Sequence, residues 1–232
     1  MSDPSDLYGF VHGLCDVIRM VLLPLATSRS ALLTKILDLI REMQEAELPV
    51  ATVLPAILRH RPAAHDDVTS ALRREFADLR HEFRLSALRG IVYWADAYRP
   101  SRKSNLLPPL PIDLLRELGA AVAQRRPGEL SDALDGSIAV LRRFGTSADS
   151  QFLDSLIVGL DYLFKEAAYR LKDEAGAALK YDEVPLIRLQ CARLAKQVAE
   201  CGRAKHPIIQ QWLKAAKDDP LPEVRAAVAD TA

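Results

Sequence analysis

Two short stretches of the 232-residue sequence carry residue types that could do chemistry. The first, His65-Asp66-Asp67, places an imidazole beside two carboxylates, a combination suited to metal-dependent phosphate-ester hydrolysis. Such a site needs further ligands at helical spacing, and His60, His81 and Asp96 form no ordered motif of that kind. We therefore interpret the triplet as a helix N-terminus, where acidic side chains stabilise the positive end of the dipole. The sequence predicts no metal site and no other cofactor.

The second stretch is the aromatic cluster at residues 93–98, Tyr-Trp-Ala-Asp-Ala-Tyr. Aromatic rings beside a carboxylate can hold an extruded base next to a catalytic acid, as in HEAT-like DNA glycosylases, with Asp96 as the candidate acid. Residues 59–103 supply ten Arg and Lys against six Asp and Glu, a modest basic surplus. The interpretation we favour is simpler: Trp94 and one tyrosine fill the core, and Asp96 is solvated.

The three cysteines give no sign of catalysis or metal binding. Cys15, Cys191 and Cys201 are odd in number, lack metal-ligand spacing and lie on apolar stripes or beside Gly202. They predict buried thiols in a reducing, cytoplasmic compartment. No zinc-protease, nucleophile-elbow or phosphate-loop pattern occurs either. We therefore expect a protein that is not an enzyme; the alternative is the glycosylase or another nucleic-acid-binding helical-repeat protein.

Composition narrows the choice of partner. Apolar residues make up 49% and charged residues 27% of the chain, a globular balance, and 31 basic residues match 31 acidic ones. Zero net charge disfavours nucleic-acid binding, which usually needs a basic excess. The most apolar stretch, Val17–Ala26, contains Arg19 and Pro24 and is shorter than the ~20 residues of a membrane span. A protein partner and no membrane are therefore expected.

Apolar residues recur at helical spacing almost throughout, which predicts an all-α fold. One stripe contains Leu72, Phe76, Leu79 and Phe83. Two others contain Val184, Ile187, Cys191, Leu194 and Val198, and Leu153, Leu156, Leu160, Leu163, Ala167 and Leu171. Prolines, glycines and caps at Ser28 and Ser147 place the helices near 6–22, 28–46, 49–59, 66–82, 84–98, 111–124, 129–143, 148–176, 183–200, 206–217 and 221–230. The break near Arg80–Arg84 is the least marked, and one long helix through it is the alternative.

Four segments follow from these breaks. Residues 1–60 are expected to form an N-terminal helical cap, and residues 61–100 a helical segment with the basic surplus. Residues 101–110 belong to a proline-rich loop that no regular element can accommodate. Residues 111–232 are expected to form helical repeats.

The repeat is visible in two stretches that start 37 residues apart. Asp182-Glu-Val-Pro-Leu-Ile-Arg188 and Asp219-Pro-Leu-Pro-Glu-Val-Arg225 share Asp, Pro, a β-branched residue and Arg at identical offsets. Asp can cap the next helix, and Pro is tolerated in its first turn. The Arg points off the buried stripe, where it can reach the Asp of a neighbouring repeat. Residues 206–217 would form the first helix of the second pair.

This pattern resembles the second helix of a HEAT repeat, with its Asp-Pro turn, Val-Arg pair and Ala-rich face; the match is good over residues 182–232 only. The resemblance implies antiparallel helix pairs stacked as an α-solenoid or irregular array, acting as a scaffold or sensor for protein–protein interaction. Because Arg and aromatic residues dominate interface hot spots, the candidate contact residues are Arg84, Arg89, Trp94, Arg99, Arg188 and Trp212. Since the last helix is short, we expect the chain to be a fragment or its C-terminal end to dock on another domain or subunit.

Overall fold

The computed structural model describes residues 4–26, 29–58, 60–97, 110–125, 128–145, 148–164 and 184–230. Every regular element in these ranges is helical, which confirms the all-α prediction for the described chain. The chain divides into two compact units, Met1–Leu110 and Pro111–Ala232. The expected N-terminal cap and the basic segment both belong to the first unit.

The described part of the first unit contains six α-helices. They are α1 (Pro4–Val17), α2 (Leu23–Ala26), α3 (Ser30–Glu45), α4 (Leu54–Ile57), α5 (His65–Ala77) and α6 (His81–Ala97). A π-helical turn, Ile18–Leu22, joins α1 to α2 without a break, and Pro62–Ala64 form a 3₁₀ turn before α5. The predicted cap Ser28 lies outside the described residues, and Arg29 occupies the N-cap position of α3 without a side-chain bond.

A sharp corner separates α5 from α6, so the single long helix is wrong. Asp78 adopts extended backbone angles, and its carboxylate accepts a hydrogen bond from the Arg80 amide at 2.9 Å. The Arg80 guanidinium also contacts this carboxylate at 2.8 Å and lowers the pKa of Asp78. Leu79, which the periodicity placed on the buried stripe, is 98% exposed at this corner. A polar Asx-type turn has overridden the apolar period.

The core of the first unit contains a buried carboxylate that periodicity does not reveal. Glu75 of α5 is fully buried and accepts hydrogen bonds from the backbone amides of Val50 (2.8 Å) and Ala51 (3.0 and 3.1 Å). The next amide, that of Thr52, donates to the Ser86 hydroxyl at 3.3 Å. These side chains hold residues 50–52 in turns, so α4 starts at Leu54 and is shorter than the predicted helix at 49–59.

The second unit also contains six described α-helices. They are α7 (Ile112–Gln124), α8 (Leu130–Phe144), α9 (Ser150–Leu163), α10 (Val184–Val198), α11 (Pro207–Lys217) and α12 (Pro222–Ala227). A π-helical turn, Ala199–Arg203, extends α10. The predicted cap Ser147 lies outside the described residues, and Asp149 is the N-cap of α9: its side chain accepts the hydrogen bond from the amide of Phe152.

The predicted apolar stripes of α9 and α10 face the core of this unit. Their members from Leu153 to Leu163 and from Ile187 to Val198 are at most 5% exposed. Ala167 and Leu171 lie outside the described residues, as does the side chain of Val184. Helical periodicity therefore identified the buried face of both helices correctly where the chain is described.

Helices α7 and α9 pack closely because each presents a glycine to the other. A Cβ added at Gly119 would lie 2.9 Å from the Cβ of Ser155, and one added at Gly159 would lie 2.7 Å from Val122 Cγ1. Real Cβ atoms essentially never come this close to such neighbours, so any side chain at either glycine must push the helices apart.

Replacing Gly159 with alanine is expected to lower the free energy of unfolding by about 1–3 kcal/mol, because the strain of separating two packed helices exceeds the gain in helix propensity. Urea unfolding followed by circular dichroism measures this. The control is Val158→Ala, whose side chain is 47% exposed on the same helix and should cost much less. Equal stability of Gly159→Ala and wild type would contradict the close packing of α7 against α9.

Candidate protein-interaction surface

A concave surface of the second unit lies between α10, α11 and the residues that follow α12. It encloses about 500 Å³ and is called here the C-terminal groove. Its lining is Lys196, Ala199, Glu200, Ala204, Gln210, Leu213, Lys214, Lys217 and Asp230. The backbone bends at Cys201 and Gly202, between the groove residues Glu200 and Ala204, and Gly202 has a φ of 88° that favours glycine.

The C-terminal groove combines an apolar floor with charged walls. Leu213 is half-buried against the core that Ala192, Ala216, Val224 and Val228 form. Three lysines line the groove with two carboxylates, so its walls have a net charge of about +1. Lys196 Nζ lies 3.9 Å from the mostly exposed Asp230 carboxylate, an ion pair that exchanges easily with solvent or a ligand. An apolar floor with lysine walls suits an acidic, partly apolar protein segment.

A buried ion pair joins the first half of α10 to the turn before α12. Arg188 Nε lies 3.0 Å from Asp219 Oδ2, and an Arg188 amino group donates to Asp219 Oδ1 at 3.4 Å. The two side chains are 5% and 0% exposed. Asp219 Oδ1 also accepts a hydrogen bond from the amide of Leu221, the N-cap residue of α12. The sequence predicted this contact between the Arg of one motif and the Asp of the next.

Further contacts hold α11 and the turn before α12 in place. Trp212 is fully buried, and its indole N–H donates to the carbonyl oxygen of Leu160 at 2.9 Å. Phe164 packs edge-on against it with ring centroids 5.2 Å apart. Arg225 donates to the carbonyl oxygens of Asp219 and Pro220, so it holds the turn before its own helix.

The structure places the six predicted contact residues unevenly. Trp94, Trp212 and Arg188 are buried, with at most 4% of each exposed, so they offer almost no surface to a partner. Arg84 and Arg89 are half-buried on α6, the helix that also carries Trp94. Arg99 lies outside the described residues. The groove lysines are not among the six predicted contact residues; their signal in the sequence was three lysines on two consecutive predicted helices.

Much of the basic surplus at residues 59–103 is engaged within the protein. Arg84 donates to the carbonyl oxygen of Phe76 at 3.0 Å, which satisfies the C-terminal end of α5. The Arg80 guanidinium binds Asp78 and stacks 3.9 Å from the centre of the Phe83 ring. These contacts engage two of the arginines that make up the basic surplus.

The described residues include no group of three or more His, Cys, Asp and Glu side chains that could hold a metal ion. His65 begins α5, and Asp66 and Asp67 lie in its first turn, as the helix N-terminus interpretation predicted. The side chain of Asp96, the candidate catalytic residue of the glycosylase hypothesis, lies outside the described residues.

The cysteines of the described chain have the environment of structural thiols. Cys15 and Cys191 are at most 1% exposed, which confirms the prediction of burial for these two, and Cys201 is half-buried. Burial raises the pKa of Cys15 to about 11, and it also raises the pKa of Cys191 and of Cys201. Thiols with raised pKa values are poor nucleophiles at neutral pH.

Comparisons of the chain with models of known protein families, with curated proteins and with solved structures find no match. The resemblance to HEAT repeats therefore rests on the residues that carry it.

Proposed function

We propose that this chain is a non-enzymatic, HEAT-like helical-repeat module that recognises another protein through the C-terminal groove. The observation that carries the proposal is the groove itself: an open concavity of about 500 Å³ with Leu213 at its floor and three lysines on its walls. The Arg188–Asp219 ion pair supports the repeat interpretation, because it joins the two matching motifs. The expected intracellular location remains a prediction.

The chemistry of the groove favours a partner segment with acidic and apolar residues. Lys214 and Lys217 lie in the last turn of α11, where their charges also stabilise the negative end of the helix dipole. A partner carboxylate in the groove would gain from these charges, while an apolar side chain would cover Leu213. Because the lysines are exposed, they would mainly set specificity and association rate.

Lys214→Glu with Lys217→Glu is expected to reduce partner recovery at least about tenfold, since like charges would then oppose an acidic segment. The measurement is quantitative mass spectrometry after affinity capture from native cell extract. Lys205→Glu is the matched control, because it reverses an exposed lysine outside the groove lining. Equal recovery by wild type and the double variant would contradict the groove assignment.

A further inference from the structure

The outer face of the N-terminal helix is apolar and exposed. From Leu7 to Ala26 the exposed positions are Leu7, Gly9, Phe10, Gly13, Asp16, Val17, Met20, Val21, Pro24 and Leu25. All of them except Asp16 are apolar or glycine. The opposite face, which includes Val11, Cys15 and Ile18, is at most 1% exposed in the core of the first unit. The helix is therefore apolar on both sides, and one side packs against no other part of the unit that the structure describes.

The size of this face is unusual for a monomer. Phe10 is 68% exposed and Met20 65%, and four further side chains are about half exposed: Leu7, Val17, Val21 and Leu25. Together the six expose roughly 600 Å² of apolar surface, at the upper end for the largest patch on a soluble monomer. A standard interface buries about 800 Å² per partner, so this face with its rim is large enough for a stable dimer.

Two glycines on the same face allow close approach. Gly9 and Gly13 are four residues apart, and a Cβ added at either would have no neighbouring atom within 4 Å outside its own helix turn. The packing of the first unit therefore does not require glycine at these positions, and both reduce helix propensity. A glycine pair at this spacing lets the backbone of a second helix come near, while bulky residues such as Phe10 fill the space beside it.

The face is also electrically suited to a second copy. Arg19 binds Asp16 at 2.9 Å, and its guanidinium lies 3.8 Å from the centre of the Tyr93 ring. The exposed acid at the edge of the face thus already has its counter-charge within the chain. Two copies related by a twofold axis would bury apolar surface without burying an unpaired charge.

A lipid bilayer is the competing occupant. The continuous helix Leu7–Ala26 has the length and composition of a membrane span, and 28% of it is buried. The apolar stretch Val17–Ala26 is thus part of a longer helix than the sequence analysis considered. Core helices of soluble proteins and signal sequences share these properties. A span would have to withdraw Ile18 and Leu23 from the core, and the exposed positions include no lysine or arginine to bind anionic headgroups.

We propose that the exposed face of α1 and α2 is the interface of a homodimer, in which Gly9 and Gly13 of each copy contact the helix of the other. Sedimentation equilibrium of the full chain over a range of concentrations is expected to show a monomer–dimer equilibrium. A strict monomer up to about 100 µM, a weak affinity on the usual scale, would overturn the proposal.

Variants test the face itself. Phe10→Glu and Met20→Glu are each expected to weaken the dimer at least about 30-fold, because each buries a charge at the interface. Leu79→Glu is the matched control: it changes a 98% exposed leucine at the corner between α5 and α6 and should leave the dimer unchanged. A dimer that all three variants leave intact would place the interface elsewhere.

Gly13→Ala separates dimer packing from folding. In the monomer it meets no atom, so helicity and fold should be retained or improved. In the dimer it should raise the dissociation constant about tenfold, because the helices can no longer approach as closely. An unchanged dissociation constant would remove the glycine contact from the proposal.

Co-sedimentation of a monomeric chain with neutral phosphatidylcholine vesicles, lost in Phe10→Glu, would assign the face to lipid and overturn the dimer.

Discussion

Replacing Glu75 with alanine is expected to lower the free energy of unfolding by about 4 kcal/mol at pH 5. The variant leaves the buried amides of Val50 and Ala51 without an acceptor, at about 1–3 kcal/mol per unsatisfied group, and opens a cavity. The loop also packs tightly against α6, because a Cβ added at Gly90 would lie 2.5 Å from the Ala51 carbonyl oxygen. The loop therefore has no room to shift toward α6 after Glu75 is removed. Urea unfolding monitored by circular dichroism gives the value.

The same carboxyl should make stability depend on pH. Burial raises the pKa of Glu75 to about 7, although bonds from Ser86, Val50 and Ala51 favour its charged form. The folded state therefore holds a proton that the unfolded state releases from about pH 4.5 upward. Stability attributable to this group is present at pH 4.5 and lost as pH rises to about 7, a loss of about 3 kcal/mol.

Glu75→Gln is the matched variant for this pH dependence. Its carbonyl oxygen can still accept from the loop amides, and it has no charge to bury. The difference in unfolding free energy between wild type and Glu75→Gln should change by about 3 kcal/mol between pH 4.5 and 8, in favour of the glutamine at high pH. Other titrating groups cancel in that difference. Parallel stability curves for the two proteins would contradict the buried-carboxyl account.

Replacing Asp219 with alanine is expected to cost about 3–5 kcal/mol, because Arg188 then remains buried without its counter-charge. The amide of Leu221 also loses its acceptor at the start of α12. The double variant Arg188→Met with Asp219→Ala should recover much of the loss, since no charge is then buried. Chemical unfolding of the four proteins of this cycle yields the coupling energy.

A surface ion pair of the same chemistry provides the control. Arg203 contacts Asp154 at 3.4 Å, and their side chains are 39% and 65% exposed. Arg203→Met should cost at most about 1 kcal/mol. If Asp219→Ala costs no more than this control, the buried pair does not lock the two motifs together, and the repeat interpretation loses its main structural support.

The helices and much of the core were predictable because a 3.6-residue apolar period reflects burial directly. The Arg188–Asp219 contact was predictable too, since matching motifs place the same residue types at the same offsets. Leu79 was not, because a local turn at Asp78 interrupts a continuous apolar stripe. Glu75 was not, because its partners lie 24 and 25 residues away in a loop.

The candidate surface was harder to predict than the fold. Trp94 and Trp212 belong to the residue types of interface hot spots, and the same large rings also fill cores, where the structure places them. The lining of the C-terminal groove comes from both sides of the bend at Gly202, which interrupts the helical backbone between α10 and α11. A single sequence shows the glycine and the lysines, but it does not show the concavity they form together.

The central claim, that this chain works by binding protein, is tested most directly by affinity capture of wild-type 1–232 from native cell extract with and without nuclease. The account predicts protein partners that survive nuclease treatment. Recovery of nucleic acid alone, lost on nuclease treatment, would contradict it. That result would favour the glycosylase hypothesis and a base-release assay with Asp96→Asn.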